Sequence, residues 1–260
     1  MAGGATSGNP APGYEKHPDH YVEARLSPKW VRAVFGGETI ADSRRTLIVR
    51  ERRHTPVYYF PKEDVRMDLV ERTDSRTYCP FKGDASYWTL KVGDRSEDDA
   101  MWSYETPYDE ALDIKDCIAF YWDKVDRWYE EDEEVFVHAR DPCVRIDVLK
   151  SSRSVRVNHK GLTLADTSRP VLLFETGLRT RYYIPAEDVM MDHLVPSSSA
   201  TACPYKGTAG YWSLDIGGEL IEDLAWSYAE PLPECGAVKG LLCFYDEKVD
   251  EVVVDGKPIS

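Results

Sequence analysis

Alternation of apolar and polar residues over short segments predicts a chain built mostly from β-strands. The runs 31–35 and 155–158 alternate in this way, and a glycine turn follows each of them. Short apolar runs at 47–49 and 171–174 lead to a glutamate. Aromatic and β-branched runs at 56–60 and 181–184 end at Pro61 and Pro185, because proline cannot donate to a neighbouring strand. We therefore predict a mainly β fold with few short helices.

The pattern occurs twice, at a constant offset. Cys-Pro-Phe-Lys-Gly at 79–83 returns as Cys-Pro-Tyr-Lys-Gly at 203–207, which is 124 positions later. Residues 31–136 align with 155–260 without a gap and share 39 identities over 106 positions, so we infer a duplication. We predict a flexible arm at 1–28, repeat domains at 29–136 and 154–260, and a linker at 137–153. We expect the repeats to pack on each other as a pseudo-dimer.

Composition and charge narrow the class of protein. The chain has 260 residues, 42% of them hydrophobic, which allows two ordinary packed domains. A net charge of −14 repels polyanions, so we expect no nucleic-acid partner. No apolar run approaches the about 20 residues of a membrane span, so we expect no membrane partner. The first twelve residues lack the basic start and apolar core of a signal peptide, and we expect a cytoplasmic protein.

The cysteines do not indicate a metal site or a disulfide framework. There are six, and none of them forms a Cys-x-x-Cys pair. Structural zinc sites usually use such close pairs, and disulfides are rare in reducing compartments. We therefore expect no metal and no cofactor, and we interpret most of the cysteines as small buried hydrophobic residues.

Five motifs in a fixed order resemble a known family. They are Ala-Asp-Ser, Tyr-Tyr-Phe-Pro-x-Glu-Asp-Val, Cys-Pro-Phe-Lys-Gly, Tyr-Trp and Trp-Ser-Tyr-x-x-Pro, and both repeats carry them with small departures such as Thr167, Ile184 and Tyr205. This order closely resembles the family known as domain of unknown function 427. The resemblance implies two tandem β-tent-like domains of the same topology. The zinc of β-tent relatives does not carry over, since their paired Cys-x-x-Cys motifs are missing.

Lys82 and Lys206 are the main candidates for chemistry. Each follows Cys-Pro-aromatic and precedes a glycine, which predicts a tight turn that fixes the direction of the side chain. A lysine among aromatic rings is partly desolvated, which lowers its pKa and suits it to act as a base or to hold an anion or carbonyl oxygen. The alternative is an exposed turn lysine whose stem packs on aromatic rings.

Other candidates surround this turn. Cys79 and Cys203 are either nucleophiles or buried cysteines that fix the loop before proline. Aromatic residues at alternating strand positions are usually core, and a minority line a ligand cleft. Arg45 and Arg169 either pair with Asp64 and Asp188 or bind an anion. The candidate ligand-binding residues are Tyr59, Trp88, Trp102, Tyr104, Tyr183, Trp212, Trp226, Tyr228, Arg45 and Arg169.

The leading hypothesis is a small-molecule-binding protein, with scope for cofactor-independent chemistry in an aromatic cleft that contains Lys82 or Lys206. The alternative is a non-catalytic pair of domains for protein interaction or scaffolding. Burial separates the two hypotheses. Lysines that point to bulk solvent, with no concave pocket beside them, would remove the basis for an enzyme.

Overall fold

The computed structural model describes residues 8–259 and divides into two compact units between Asp141 and Pro142. Strands dominate both units, and the helical segments are short. They are the α-helix Gly13–Lys16 and 3₁₀ turns at Lys62–Asp64, Met67–Leu69, Asp109–Ile114, Trp122–Lys124, Ala186–Asp188, Met191–His193 and Pro233–Val238. Among the described residues, no helix has the length and apolar character needed to cross a membrane.

Over residues 8–141, the first unit contains two antiparallel sheets. Its strands are β1 (Val22–Leu26), β2 (Val31–Phe35), β3 (Glu38–Ser43), β4 (Leu47–Glu51), β5 (Val57–Pro61), β6 (Val70–Cys79), β7 (Gly83–Val92), β8 (Arg95–Ser103), β9 (Cys117–Phe120), β10 (Arg127–Glu130) and β11 (Glu133–Val135). A seven-stranded sheet has the order β1-β4-β5-β9-β8-β7-β6, and a four-stranded sheet has the order β11-β10-β2-β3.

Over residues 142–259, the second unit repeats this arrangement. Its strands are β12 (Ile146–Lys150), β13 (Val155–His159), β14 (Leu162–Thr167), β15 (Val171–Glu175), β16 (Arg181–Ile184), β17 (Leu194–Cys203), β18 (Gly207–Ile216), β19 (Glu219–Pro231), β20 (Leu242–Phe244), β21 (Glu251–Val254) and β22 (Lys257–Pro258). The sheets have the orders β12-β15-β16-β20-β19-β18-β17 and β14-β13-β21-β22. Each strand order matches that of the first unit, which confirms the prediction of two tandem, mainly β domains of one topology.

The boundaries of the predicted arm and linker differ from the structure. Strand β1 lies within the predicted arm at 1–28 and pairs with β4, and β12 lies within the predicted linker and pairs with β15. Residues 1–7 of the arm lie outside the described residues. Residues 22–30 and 146–154 share only Ser27 and Ser151 at the 124-residue offset, so the alignment of the repeats began one strand too late. The acidic run 129–134 is part of the β10–β11 hairpin.

The two faces of each large sheet bury different residues. In the first unit, one face packs on the four-stranded sheet and contributes Tyr58, Phe60, Trp88, Leu90 and Met101 to the core. Because neighbouring residues of a strand point to opposite faces, Tyr59, Tyr87 and Trp102 lie on the other face, beside Tyr104 and Ile114. The second unit divides its residues in the same way. The candidate site lies on this second face.

Candidate functional site

The turn between β6 and β7 places Lys82. The backbone N–H of Lys82 donates to the carbonyl oxygen of Cys79 at 3.3 Å, which closes a tight turn. Gly83 follows with φ of 105°, and a Cβ there would lie 3.3 Å from the backbone oxygen of Thr106. Both facts require glycine, as predicted, because a side chain favours neither this φ nor this close approach. Gly207 repeats the geometry with φ of 100° in the second unit.

Each lysine forms an ion pair with a glutamate at the end of an inner strand. The Lys82 ammonium donates to Glu51 Oε2, and the Lys206 ammonium donates to Glu175 Oε2 at 2.6 Å. The Lys82 and Glu51 side chains are only 10% and 12% exposed. The lysines therefore do not point to bulk solvent, so the alternative of an exposed turn lysine is wrong. Their ammonium groups donate to these carboxylates, and the two roles considered for the lysines, a base or a group that holds an anion or carbonyl oxygen, stay predictions.

Aromatic rings form the wall beside the ion pair. The Lys82 ammonium lies 5.7 Å from the centre of the Tyr104 ring, a cation–π distance. The Trp102 indole donates to the Tyr59 hydroxyl at 3.1 Å, and its ring lies 4.6 Å from that of Tyr121. Tyr87 completes this wall through a hydrogen bond of 2.7 Å with the Thr77 hydroxyl.

The second unit repeats these contacts closely. Trp226 donates to the Tyr183 hydroxyl at 3.1 Å, and its ring lies 4.5 Å from that of Tyr245. The Tyr211 hydroxyl lies 2.8 Å from the hydroxyl of Thr201. The duplication therefore preserved a three-dimensional arrangement of polar and aromatic groups and not the turn alone.

The wall tyrosines are neutral hydrogen-bonding groups. Burial raises the pKa of Tyr59 and Tyr104 above the ordinary value for a phenol. Burial does the same to Tyr183 and Tyr228 in the second unit. Burial and then a hydrogen bond with Tyr87 raise the pKa of Tyr121 to about 12. Each cleft therefore offers phenol groups and one ammonium as donors, and one carboxylate as an acceptor.

The clefts formed by these residues differ in size and at one edge. The first has a volume of about 280 Å³ and the second about 530 Å³. The lining of the two clefts also differs in residue type. The first cleft has His54, Thr55 and Val57 along one edge. At the aligned positions the second cleft has Leu178, Arg179 and Arg181.

The half-buried carboxylate of Asp246 holds two arginines at the edge of the second cleft. Asp246 accepts hydrogen bonds from Arg179 at 2.7 Å and from Arg181 at 2.6 Å. Burial opposes ionisation of Asp246. Hydrogen bonds with Glu247 and Arg179 and the charge of Arg181 outweigh this effect, and the pKa of Asp246 falls to about 2. Trp122 takes the aligned position in the first unit, so this charged edge is specific to the second cleft.

The structure brings together most of the predicted site residues. Tyr59, Trp102, Tyr104, Cys79 and Lys82 line the first cleft. Lining the second are Tyr183, Trp226, Tyr228 and Lys206. Cys203 is half-buried at the aligned position, but it is not among the lining residues of the second cleft.

Two pairs of predicted residues lie elsewhere. Trp88 and Trp212 belong to the sandwich cores on the opposite faces of the sheets, and their neighbours Tyr87 and Tyr211 line the clefts instead. Arg45 binds Asp64 at 2.8 Å, which is one of the two alternatives considered for it. Arg169 likewise binds Asp188, at 3.0 Å. None of these four residues lines a cleft.

Several cleft residues were not among the sequence candidates. Glu51 and Glu175 are the partners of the lysines, and both end an apolar run at aligned positions. Tyr121 and Tyr245 also recur at the 124-residue offset. Recurrence at that offset was therefore the signal that could have found these residues, combined with the expectation that a shielded lysine needs an anionic partner.

The groups that each cleft presents are hydrogen-bonding groups and aromatic rings. Among residues 8–259, no three His, Cys, Asp or Glu side chains are placed to hold a metal ion. All six cysteines are free thiols, and burial raises the pKa of Cys117 and of Cys235 to about 11, which keeps both thiols protonated at neutral pH. What each cleft offers is a set of fixed donors, one carboxylate and flat apolar walls.

Fold and clefts together define a tandem β protein in which each domain carries a Glu–Lys pair at the base of an aromatic cleft. The chain belongs to the family described as domain of unknown function (DUF427), whose sequence profile matches residues 23–131 and 147–255. The two matches begin at the strands β1 and β12 that the repeat alignment had left outside the domains. No curated protein matches the chain.

Proposed function

We propose that the chain is a small-molecule-binding protein whose two aromatic clefts hold ligands through the Glu–Lys pair and the wall tyrosines. The observation that carries this proposal is the ion pair itself. Burying two charges costs several kcal/mol per ion before their attraction is counted, and an apolar pair is often as stable. The same pair nevertheless stands at the base of both clefts, where its polar atoms can meet a ligand.

The walls support the same function. Ligand pockets commonly combine apolar and aromatic surface with a few fixed polar groups. Here the indole of Trp102 orients Tyr59, and the hydroxyl of Thr77 orients Tyr87. Such fixed groups lose little conformational freedom when a ligand binds, which favours affinity. Chemistry without a cofactor would use the same groups, with the lysine and tyrosines as donors to a carbonyl or phosphoryl oxygen.

A ligand screen by thermal shift tests the proposal, because a ligand that binds only the native state raises the melting temperature. The screen compares the wild type with the double variant Lys82→Met and Lys206→Met. A matched control replaces Lys115 and Lys239, which also recur at the 124-residue offset but lie on the exposed surface. We expect hits on the wild type and the control that are lost in the cleft variant.

The opposite result would favour a non-catalytic interaction domain. If every hit shifts the wild type and the cleft variant equally, the lysines do not contribute to binding. If the cleft variant is unfolded before any ligand is added, the ion pairs are structural. Either outcome leaves the aromatic residues as core and removes the basis for a ligand site.

A further inference from the structure

The carboxylates of the two clefts are satisfied differently. Glu51 uses both oxygens, because Oε2 accepts from Lys82 while Oε1 lies 3.2 Å from His20 Nε2. Glu175 accepts from Lys206 through Oε2, and its Oε1 has no hydrogen-bond partner among residues 8–259. The Glu175 side chain is only 10% exposed. Glu175 lines the open second cleft, so this oxygen is free to accept a hydrogen bond from water or from a ligand.

His20 is held firmly on Glu51 by the segment before β1. Its ring stacks on Phe81 with 3.6 Å between centroids and 15° between planes, and the Tyr14 ring meets Phe81 edge-on at 5.1 Å. The Gly13 N–H donates to the Pro80 carbonyl at 2.9 Å. A Cβ on Gly13 would lie 2.6 Å from the Phe81 ring, so only glycine allows this close approach. The segment thus seats an imidazole against the turn that carries Lys82.

The second cleft has no such imidazole from the aligned position. Val144 stands 124 residues after His20, and its side chain has no hydrogen-bond donor. The second cleft is also larger, at about 530 Å³ against about 280 Å³. In the first unit, the flat imidazole ring of His20 therefore lies against Glu51 Oε1. In the second unit, the equivalent oxygen, Glu175 Oε1, has no such ring beside it.

We propose that the second cleft binds a flat nitrogen heterocycle whose ring N–H donates to Glu175 Oε1, and that His20 occupies the corresponding oxygen of Glu51 in the first unit. The inference rests on the proposed small-molecule function and adds to it the chemical class of the ligand and the cleft that receives it. Trp226 and Tyr245 supply flat surface for the ring, and Lys206 and the tyrosines remain as donors to its acceptor atoms.

A matched pair of probes separates the N–H contribution from general ring binding. Benzimidazole carries a ring N–H, and 1-methylbenzimidazole has nearly the same shape without it. The indole N–H signals of Trp226 and Trp102 in a proton–nitrogen NMR spectrum of the full chain report the second and first clefts separately. Because a hydrogen bond to a charged acceptor is strong, we expect benzimidazole to shift the Trp226 signal with about tenfold higher affinity than its methylated analogue.

Two variants extend the test. Glu175→Gln removes the charged acceptor but keeps the size of the side chain, so we expect the preference for benzimidazole to fall towards unity. His20→Ala frees Glu51 Oε1, and Glu51 lines the same cleft as Trp102, so we expect the Trp102 signal to respond to benzimidazole more strongly than in the wild type. A dispersed spectrum of each variant confirms that it is folded.

Several results would overturn the proposal. If the two probes have equal affinity at Trp226, the ring N–H does not contribute to binding. The proposal of a ring N–H donor to Glu175 would then be wrong, although the cleft would still bind a ligand. A Trp102 response in the wild type as strong as that of Trp226 would show that His20 does not block Glu51 Oε1. If neither probe moves Trp226, the ligand class is wrong, and the thermal-shift screen still decides the proposed function independently.

Discussion

Replacing Lys206 with methionine should destabilise the second domain more than the same change at Lys82 destabilises the first. Methionine keeps the length of the side chain and removes its charge. Glu175 then has no hydrogen-bond partner among the described residues, whereas Glu51 keeps His20 at 3.2 Å. The two lysines have the same turn and the same wall, so each variant is a natural control for the other.

The magnitude follows from burial. Removing one partner of a fully buried ion pair costs about 3–5 kcal/mol, because it leaves an uncompensated charge. The side chains of Lys206 and Glu175 are 14% and 10% exposed and line an open cleft, so water can reach the remaining carboxylate. We therefore expect a loss of about 1–3 kcal/mol for Lys206→Met, and a smaller loss for Lys82→Met. Since domains are stable by about 5–15 kcal/mol, both variants should stay folded.

Urea unfolding of protein labelled with 5-fluorotryptophan measures both domains at once. The fluorine signals of Trp212 and Trp226 follow the second domain, and those of Trp88 and Trp102 follow the first. Adding Glu175→Met to Lys206→Met should restore most of the lost stability, because an apolar pair can replace a buried ion pair. If the double variant is no more stable than Lys206→Met, lost packing and not the unpaired carboxylate causes the effect. If Lys82→Met costs as much as Lys206→Met, His20 does not compensate.

Three further predictions follow from the structure. Gly207→Ala should cost about 1–3 kcal/mol in a urea titration, because φ is positive there and the new Cβ would lie 3.1 Å from a backbone oxygen, whereas Gly236→Ala has open space and should change little. Asp246→Asn should lower stability at neutral pH. The folded-state pKa of Asp246 is depressed to about 2 from 3.8, so its contribution is present above pH 3.8 and is lost as the pH falls through about 2, where melting temperatures of variant and wild type should converge. Elemental analysis of purified protein should find far less than about one zinc per repeat, because no paired Cys-x-x-Cys is present, and stoichiometric zinc would contradict this.

The order of the strands within the sheets could not be predicted from the sequence, although most of the strands could. Alternation and the proline and glycine stops mark short strands reliably where one face is polar. The duplication then requires that both halves share a fold, whatever that fold is. Strands β1 and β12 were assigned to the arm and the linker because their two sequences share almost no identities at the 124-residue offset, although both alternate apolar and polar residues.

The turn that carries the lysine could be predicted from the sequence. The aromatic residue beside it and the partner of the lysine could not. Gly83 and Gly207 indicated a fixed backbone, and the structure shows the positive φ at both. The choice between Tyr87 and Trp88 could not be made from the sequence, because β7 is buried on both faces and loses its alternation. The pairing of Lys82 with Glu51 depends on how the turn after β6 folds over β4, which is a tertiary contact across 31 residues.

Two of the residue differences between the domains lie next to each other at the edge of the second cleft. Arg181 replaces Val57, and Asp246 replaces Trp122, and the two charged residues bind each other at 2.6 Å. Arg179 also binds Asp246, at 2.7 Å, so the carboxylate holds both arginines beside the aromatic rings. In the first unit Val57 lines the cleft, and Trp122 stacks on Trp128 with 4.5 Å between ring centres. The base of the cleft, with its Glu–Lys pair and wall tyrosines, is the same in both domains, so the two clefts share one means of holding a ligand and present different edges to it.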